Sequence, residues 1–197
     1  PLEATKPWNT SGVEGVRRFL ERVWRVCVDQ DTDACLAQEV EPSKGLLRAT
    51  HKCIKKVTED IEAMRFNTGI SAMMELVNTL TPSKERPRMV LEALVQLLAP
   101  YAPHLCEELW QRLGHSETIA YVSWPQYEEA LTIDDTVTYA IQINGKRRGE
   151  VSLARDVSKD DALAAARTTE GIPRHLEGKT IRREIFVPGR MINFVAN

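Results

Sequence analysis

Three consecutive cations, Lys146, Arg147 and Arg148, follow an Asn-Gly pair in the stretch Ile143-Asn144-Gly145-Lys146-Arg147-Arg148-Gly149. Lys and Arg at this density neutralise phosphates, which gives affinity and register on a polyanion without reading its sequence. Lys179, Arg182, Arg183 and Arg190 lie further along the same tail, and together with the first three they can make one positive surface. Two earlier stretches carry cations at helical spacing: Arg18, Arg22 and Arg25, then Lys52, Lys55 and Lys56. Each of these ridges has two readings, a track for a phosphate backbone or a solvated helix face balanced by nearby acids.

Other chemistry is missing. Four histidines (His51, His104, His115, His175) stand without a nucleophile motif beside them, and no glycine-rich phosphate loop joins a strand to a helix. The adjacent pairs Glu107-Glu108 and Glu128-Glu129 point to different faces of a helix, so neither makes a carboxylate dyad. Cys27, Cys35, Cys53 and Cys106 include no Cys-x-x-Cys pair and read as buried thiols in a reducing compartment rather than a metal site. These residues alone are not expected to catalyse a reaction or to hold a cofactor. No apolar run is long enough to span a membrane.

The formal charge of -2 conceals an asymmetry. Residues 1–135 carry 15 basic against 21 acidic side chains, a net of -6, whereas residues 136–197 carry 11 against 7, a net of +4. A basic tail on an acidic body points to a local polyanion contact.

The elements that must hold these cations follow from periodicity. Residues 1–9 read as a tether in which Trp8 docks, and Thr10 or Ser11 caps a first helix with the apolar stripe Val13, Val16, Leu20, Val23 and Cys27. Ser43 caps a second, with Leu47, Ile54, Val57, Ile61 and Met64 as its stripe; a break is expected at Asn67-Thr68-Gly69, and Ile70, Met73, Val77 and Leu80 continue beyond it. Met89 to Leu98 is apolar nearly all round and should be the most buried helix. Pro103 opens the next helix and Gly114 closes it. The expected architecture is thus an all-α helical bundle over residues 10–118, an extended acidic linker over 119–135, and a small α+β domain over 136–197. That last domain should consist of two hairpins with helices between: strand Thr136 to Ile143, a turn carrying Lys146 to Arg148, strand Glu150 to Leu153, helices near Lys159 to Ala166 and Pro173 to Leu176, and strands Thr180 to Val187 and Met191 to Val195 around Pro188-Gly189. Asn144, Gly145, Gly149 and Gly189 are assigned to shaping the turns.

At the level of motifs the chain resembles the leucyl-tRNA synthetase family. Trp8-Asn9-Thr10-Ser11-Gly12-Val13-Glu14-Gly15 with Arg18-Phe19-Leu20 is similar to the opening of that family's helical anticodon-binding domain. Val57-Thr58-Glu59-Asp60-Ile61-Glu62 with Arg65-Phe66-Asn67-Thr68, and Leu98-Ala99-Pro100-Tyr101-Ala102-Pro103-His104, resemble its next landmarks. The tail motifs Ile143 to Gly149, Leu176-Glu177-Gly178-Lys179 and Val187-Pro188-Gly189-Arg190 are similar to the small C-terminal domain of the bacterial-type enzymes. The resemblance implies a leucine-tRNA ligase, a class I synthetase that uses ATP with Mg, with its catalytic and editing domains upstream in the same chain. It further implies a leucine tRNA as partner, a monomer and a cytoplasmic location. Lys146, Arg148 and Lys179 would take the backbone-contact role, with the bundle along the inside of the L-shaped tRNA and the tail at its outer corner. A reading from another class is a helical protein-interaction module whose basic hairpin docks on an acidic partner.

Overall fold

The computed structural model describes Thr5 and residues 11–197, Ser11 by its backbone alone. The expected tether (Thr5 apart), the docking of Trp8 and the capping by Thr10 or Ser11 lie outside the described residues. The chain separates into two compact units, Pro1–Ile133 and Asp134–Asn197. Among the described residues there are seven α-helices and one four-stranded mixed sheet.

The first unit holds α1 (Ser11–Cys27), α2 (Lys44–Glu62), α3 (Phe66–Leu80), α4 (Arg88–Leu98) and α5 (Pro103–Arg112). Ser43 caps α2 by accepting from the backbone N–H of Leu46, and Pro103 begins α5, where its missing donor costs nothing. Val90, Leu91, Ala93, Leu94, Val95, Leu97 and Leu98 of α4 are all buried, so this helix is the spine of the core. Each such Leu or Val stabilises the fold by roughly 1.5–3 kcal/mol.

Two stripes differ from their sequence pattern. On α1 the buried residues are Phe19, Val23, Val26 and Cys27, whereas Val13 and Val16 are about half exposed (53% and 49%), because the first turns of the helix run beyond the core. The α2 stripe is Leu46, Cys53, Ile54 and Val57, and Met64 lies outside the core at 66% exposure. The chain breaks at Ala63 to Arg65, not at Asn67 to Gly69: Met64 takes a φ of 53°, and Arg65 N–H returns to the Asp60 carbonyl at 2.7 Å. Gly69 is instead inside α3, where a Cβ would stand 2.6 Å from the Tyr101 hydroxyl. That glycine lets α3 approach the turn between α4 and α5.

Residues 119–133 are no free linker. Ile119 is buried, Trp124 Nε1 donates to Thr58 Oγ1 at 2.8 Å, and Glu128 N–H donates to His51 Nδ1 at 3.0 Å. Two 3-10 turns belong to this strap: Ile119–Tyr121 lies against α5, with Ile119 N–H donating to Glu107 Oε2 at 3.2 Å, and Glu129–Thr132 lies against α2. The aperiodic sequence concealed this, because the strap is held by single anchors, buried Ile119 and half-buried Trp124 among them, and by hydrogen bonds to distant residues rather than by a periodic apolar face.

The second unit runs β1 (Thr136–Ile143), β2 (Lys146–Ala154), α6 (Lys159–Thr168), α7 (Ile172–Leu176), β3 (Ile181–Val187) and β4 (Met191–Ala196). The strand order is β2-β1-β4-β3, with β1 and β4 parallel at the centre and each hairpin antiparallel. Tyr139, Ile141, Ile143, Ile192 and Phe194 form one core with Ala162, Leu163 and Ala166 of α6 and Ile172 of α7. No described helix is long and apolar enough to cross a membrane.

Candidate nucleic-acid interface

The turn between β1 and β2 has only two residues. Asn144 and Gly145 both have positive φ (50° and 77°), the geometry of a type I′ turn. Lys146, Arg147 and Arg148 are therefore the first residues of strand β2 and not part of the turn. The Asn144 side chain locks the hairpin to β4, donating to the Ala196 carbonyl at 2.6 Å and accepting from Ala196 N–H at 2.9 Å. Gly149 shapes no turn: it faces the core, and a Cβ there would lie 3.4 Å from Ile172 Cδ1. Gly189, with φ of 70°, does shape the β3–β4 turn, and its N–H donates to Tyr139 Oη at 3.2 Å.

Register decides how the tail cations are presented. Ile141 pairs with Gly149 and Gln142 with Arg147, so Arg148 is an extra residue, a bulge in an edge strand. The other edge strand repeats the device, since Ile181 pairs with Ala196 and Arg183 with Val195, leaving Arg182 as the extra residue. Both bulges thus fall within arginine pairs, and all four arginines are exposed. Arg147 is ion-paired with Glu150, and Arg182 Nε donates to Asn197 Oδ1 at 2.9 Å. Lys179 Nζ donates to the His175 carbonyl at 3.0 Å. Among the described residues, Lys146, Arg148, Arg183 and Arg190 have no side-chain hydrogen bond or ion pair.

The helical ridges are more engaged. Arg22 clamps α1 to the end of α3 through Asn78 Oδ1 (2.6 Å) and Thr81 Oγ1 (3.2 Å), while Arg18 and Arg25 are exposed. The expected lysine ridge splits. Lys52 and Lys56 line the groove between α2 and α3, and Lys56 is bridged to buried Asp60 at 2.8 Å. Lys55 turns to the strap, pairing with Glu129 at 2.6 Å above the Tyr127 ring. The sequence shows the spacing of these lysines and the i,i+4 relation of Lys56 to Asp60, but not that Lys55 meets Glu129. No group of His, Cys, Asp or Glu suited to a metal ion occurs among the described residues. Burial pushes the Cys27, Cys53 and Cys106 thiols up to about 12, which leaves them inert.

The first unit is helical and the second carries exposed cations on the edges of its sheet, and comparison with known proteins gives the family. The chain belongs to the family described as the anticodon-binding domain of tRNA ligase, which it matches over residues 43–163. The match starts at the cap of α2 and ends within α6, so it takes in part of both units. Among individual proteins, the chain is 52% identical over 196 residues to Leucine--tRNA ligase 1 of Rhizobium johnstonii, covering 99% of this chain and 23% of that protein. It is 47% identical over 194 residues to Leucine--tRNA ligase of Chlorobaculum parvum, covering 98% and 24% respectively. The chain thus spans about a quarter of the length of these relatives. A solved structure, the ternary complex of Agrobacterium radiobacter K84 agnB2 LeuRS with tRNA and LeuAMS, superposes with a TM-score of 0.68 at 29% identity, covering 98% of this chain and 26% of that one.

Proposed function

We propose that this chain is the tRNA-handling part of a bacterial-type leucyl-tRNA synthetase, which joins leucine to its tRNA with ATP as substrate and Mg as its counter-ion. The observation that carries the reading is 52% identity over 99% of the chain to a leucine-tRNA ligase. The catalytic and editing chemistry is assigned to other residues of a longer cytoplasmic protein. Within this chain the helical unit takes the role of the anticodon-binding-type domain and the second unit that of a C-terminal tRNA-binding domain, with the boundary drawn at residues 133 and 134. The second unit would hold a folded RNA through backbone and shape, since it offers cations and amides while its aromatics, Tyr139, Phe186 and Phe194, are buried or half-buried.

Filter binding tests this. The chain should bind leucine tRNA more tightly than a tRNA lacking the long variable arm, and lose affinity steeply between 50 and 200 mM salt. Lys146→Glu with Arg148→Glu should abolish the difference. Equal binding to unstructured RNA of the same length would favour a basic module for acidic partners instead.

A further inference from the structure

We propose that the helix-free face of the β2-β1-β4-β3 sheet is the RNA-contacting face of the second unit, gripping phosphates at its two edges and meeting ribose 2′-hydroxyls between them. This rests on the tRNA reading above and adds which face, which residues and which RNA groups.

The helices of this unit cover one side of the sheet alone. Every residue of its core, from Tyr139 and Ile141 to Ile192 and Phe194, falls on that side. The alternate positions, Thr138, Ala140 and Gln142 on β1 and Met191, Asn193 and Val195 on β4, are half-buried or exposed, with no helix of the unit over them. Register then builds a row across this open face. Arg147 of β2 pairs with Gln142, Gln142 with Asn193, and Asn193 with Ile185 of β3. Arg183 stands on the same face, two residues nearer the Asn144-Gly145 end, opposite Val195.

Both edge bulges lie at this end. An edge bulge breaks pairing with another strand and re-aims side chains, and here each one coincides with an arginine pair. The result is a polar strip with arginines along two opposite borders. Three strand spacings separate the borders, about 14 Å. That distance suits phosphates on separate segments of a folded RNA, not neighbours on one strand. Glu150 is the only acid on the strands of this face, and it is neutralised by Arg147. Arg148 and Arg183 are left without an ion pair among the described residues.

Between the borders sit two amides. Asn193 Oδ1 accepts from Gly145 N–H at 3.3 Å, and neither its NH2 group nor the Gln142 amide has a partner among the described residues. A primary amide both donates and accepts, as does a 2′-hydroxyl, the group that tells RNA from DNA.

The test uses the 197-residue chain, a labelled leucine tRNA transcript and a DNA of the same sequence, with far-UV circular dichroism to verify folding. Arg148→Gln and Arg183→Gln should each weaken tRNA binding several-fold and flatten the slope of log affinity against log salt by about 0.7–0.9. Arg148→Lys and Arg183→Lys, which keep the charge, should restore the slope. Arg167→Gln, on the helix-covered side where Arg167 pairs with Glu184, should change nothing. Gln142→Ala should narrow the preference for RNA over DNA. Parent-like binding by the Arg148 and Arg183 variants, or an equal loss in Arg167→Gln, overturns the assignment of this face while the tRNA reading stands. Absence of salt-dependent tRNA binding by the unaltered chain overturns the tRNA reading itself, and this inference with it.

Discussion

Asp60 has no exposed surface, and its Oδ1 accepts from both Lys56 Nζ and Arg65 Nε at 2.8 Å. Burial alone would raise its pKa, but the hydrogen bonds from Lys56 and Arg65, with the charge of Lys56, outweigh it and hold the carboxyl down to about 2. Its folded value is thus below its ordinary 3.8, so the charged carboxylate contributes stability that is complete above that value and is lost as pH falls toward 2. Asp60→Asn should cost about 1–3 kcal/mol at neutral pH and remove this acid limb, which urea unfolding at several pH values will show. Close by, Asp60 Oδ2 and Tyr101 Oη are both buried without partners, and Gly69 provides the room in which the tyrosine hydroxyl sits. Gly69→Ala should therefore destabilise the helical unit by about 1–3 kcal/mol. Tyr101→Phe should be close to neutral and should reduce the cost of Gly69→Ala, a coupling that a double-mutant cycle measures.

Among the elements, the β1–β2 hairpin depends most on one side chain. Asn144 holds a left-handed backbone conformation and makes two hydrogen bonds to β4. Asn144→Ala should cost about 1–2 kcal/mol from backbone strain, with the lost bonds in addition, measured by far-UV circular dichroism against temperature. This turn was legible in the sequence because Asn-Gly between alternating strands is a local signal, as was the apolar α4. What the sequence concealed is non-local. Whether Val13 and Val16 are covered depends on where the core ends, and Glu129, the partner of Lys55, lies 74 residues further along the chain. The parallel pairing of β1 with β4 joins strands about 50 residues apart and leaves no mark on either. The arginines of the candidate interface could be named from composition and motif, but the bulges that present them exist only in the register.

Across the whole molecule, all four tryptophans precede residue 134, so their fluorescence reports on the helical unit alone. Each unit has its own core. Asp60→Asn should lower the tryptophan-detected melting midpoint, whereas Asn144→Ala should leave it in place and lower the transition carried by the strands. A common shift of both signals by either substitution would show that the two units melt together.

Strand β4 joins the two hairpins of the second unit, since β1–β2 and β3 meet only through it. A ribosome delivers β4 after every other strand of this sheet. Until Met191 to Ala196 emerge, the nascent chain has a lone hairpin and an unpaired arginine-rich strand, neither stable by itself. The sheet face proposed to hold RNA is thus assembled in a single late step, and a truncation a few residues before Met191 would remove it as completely as deleting the unit.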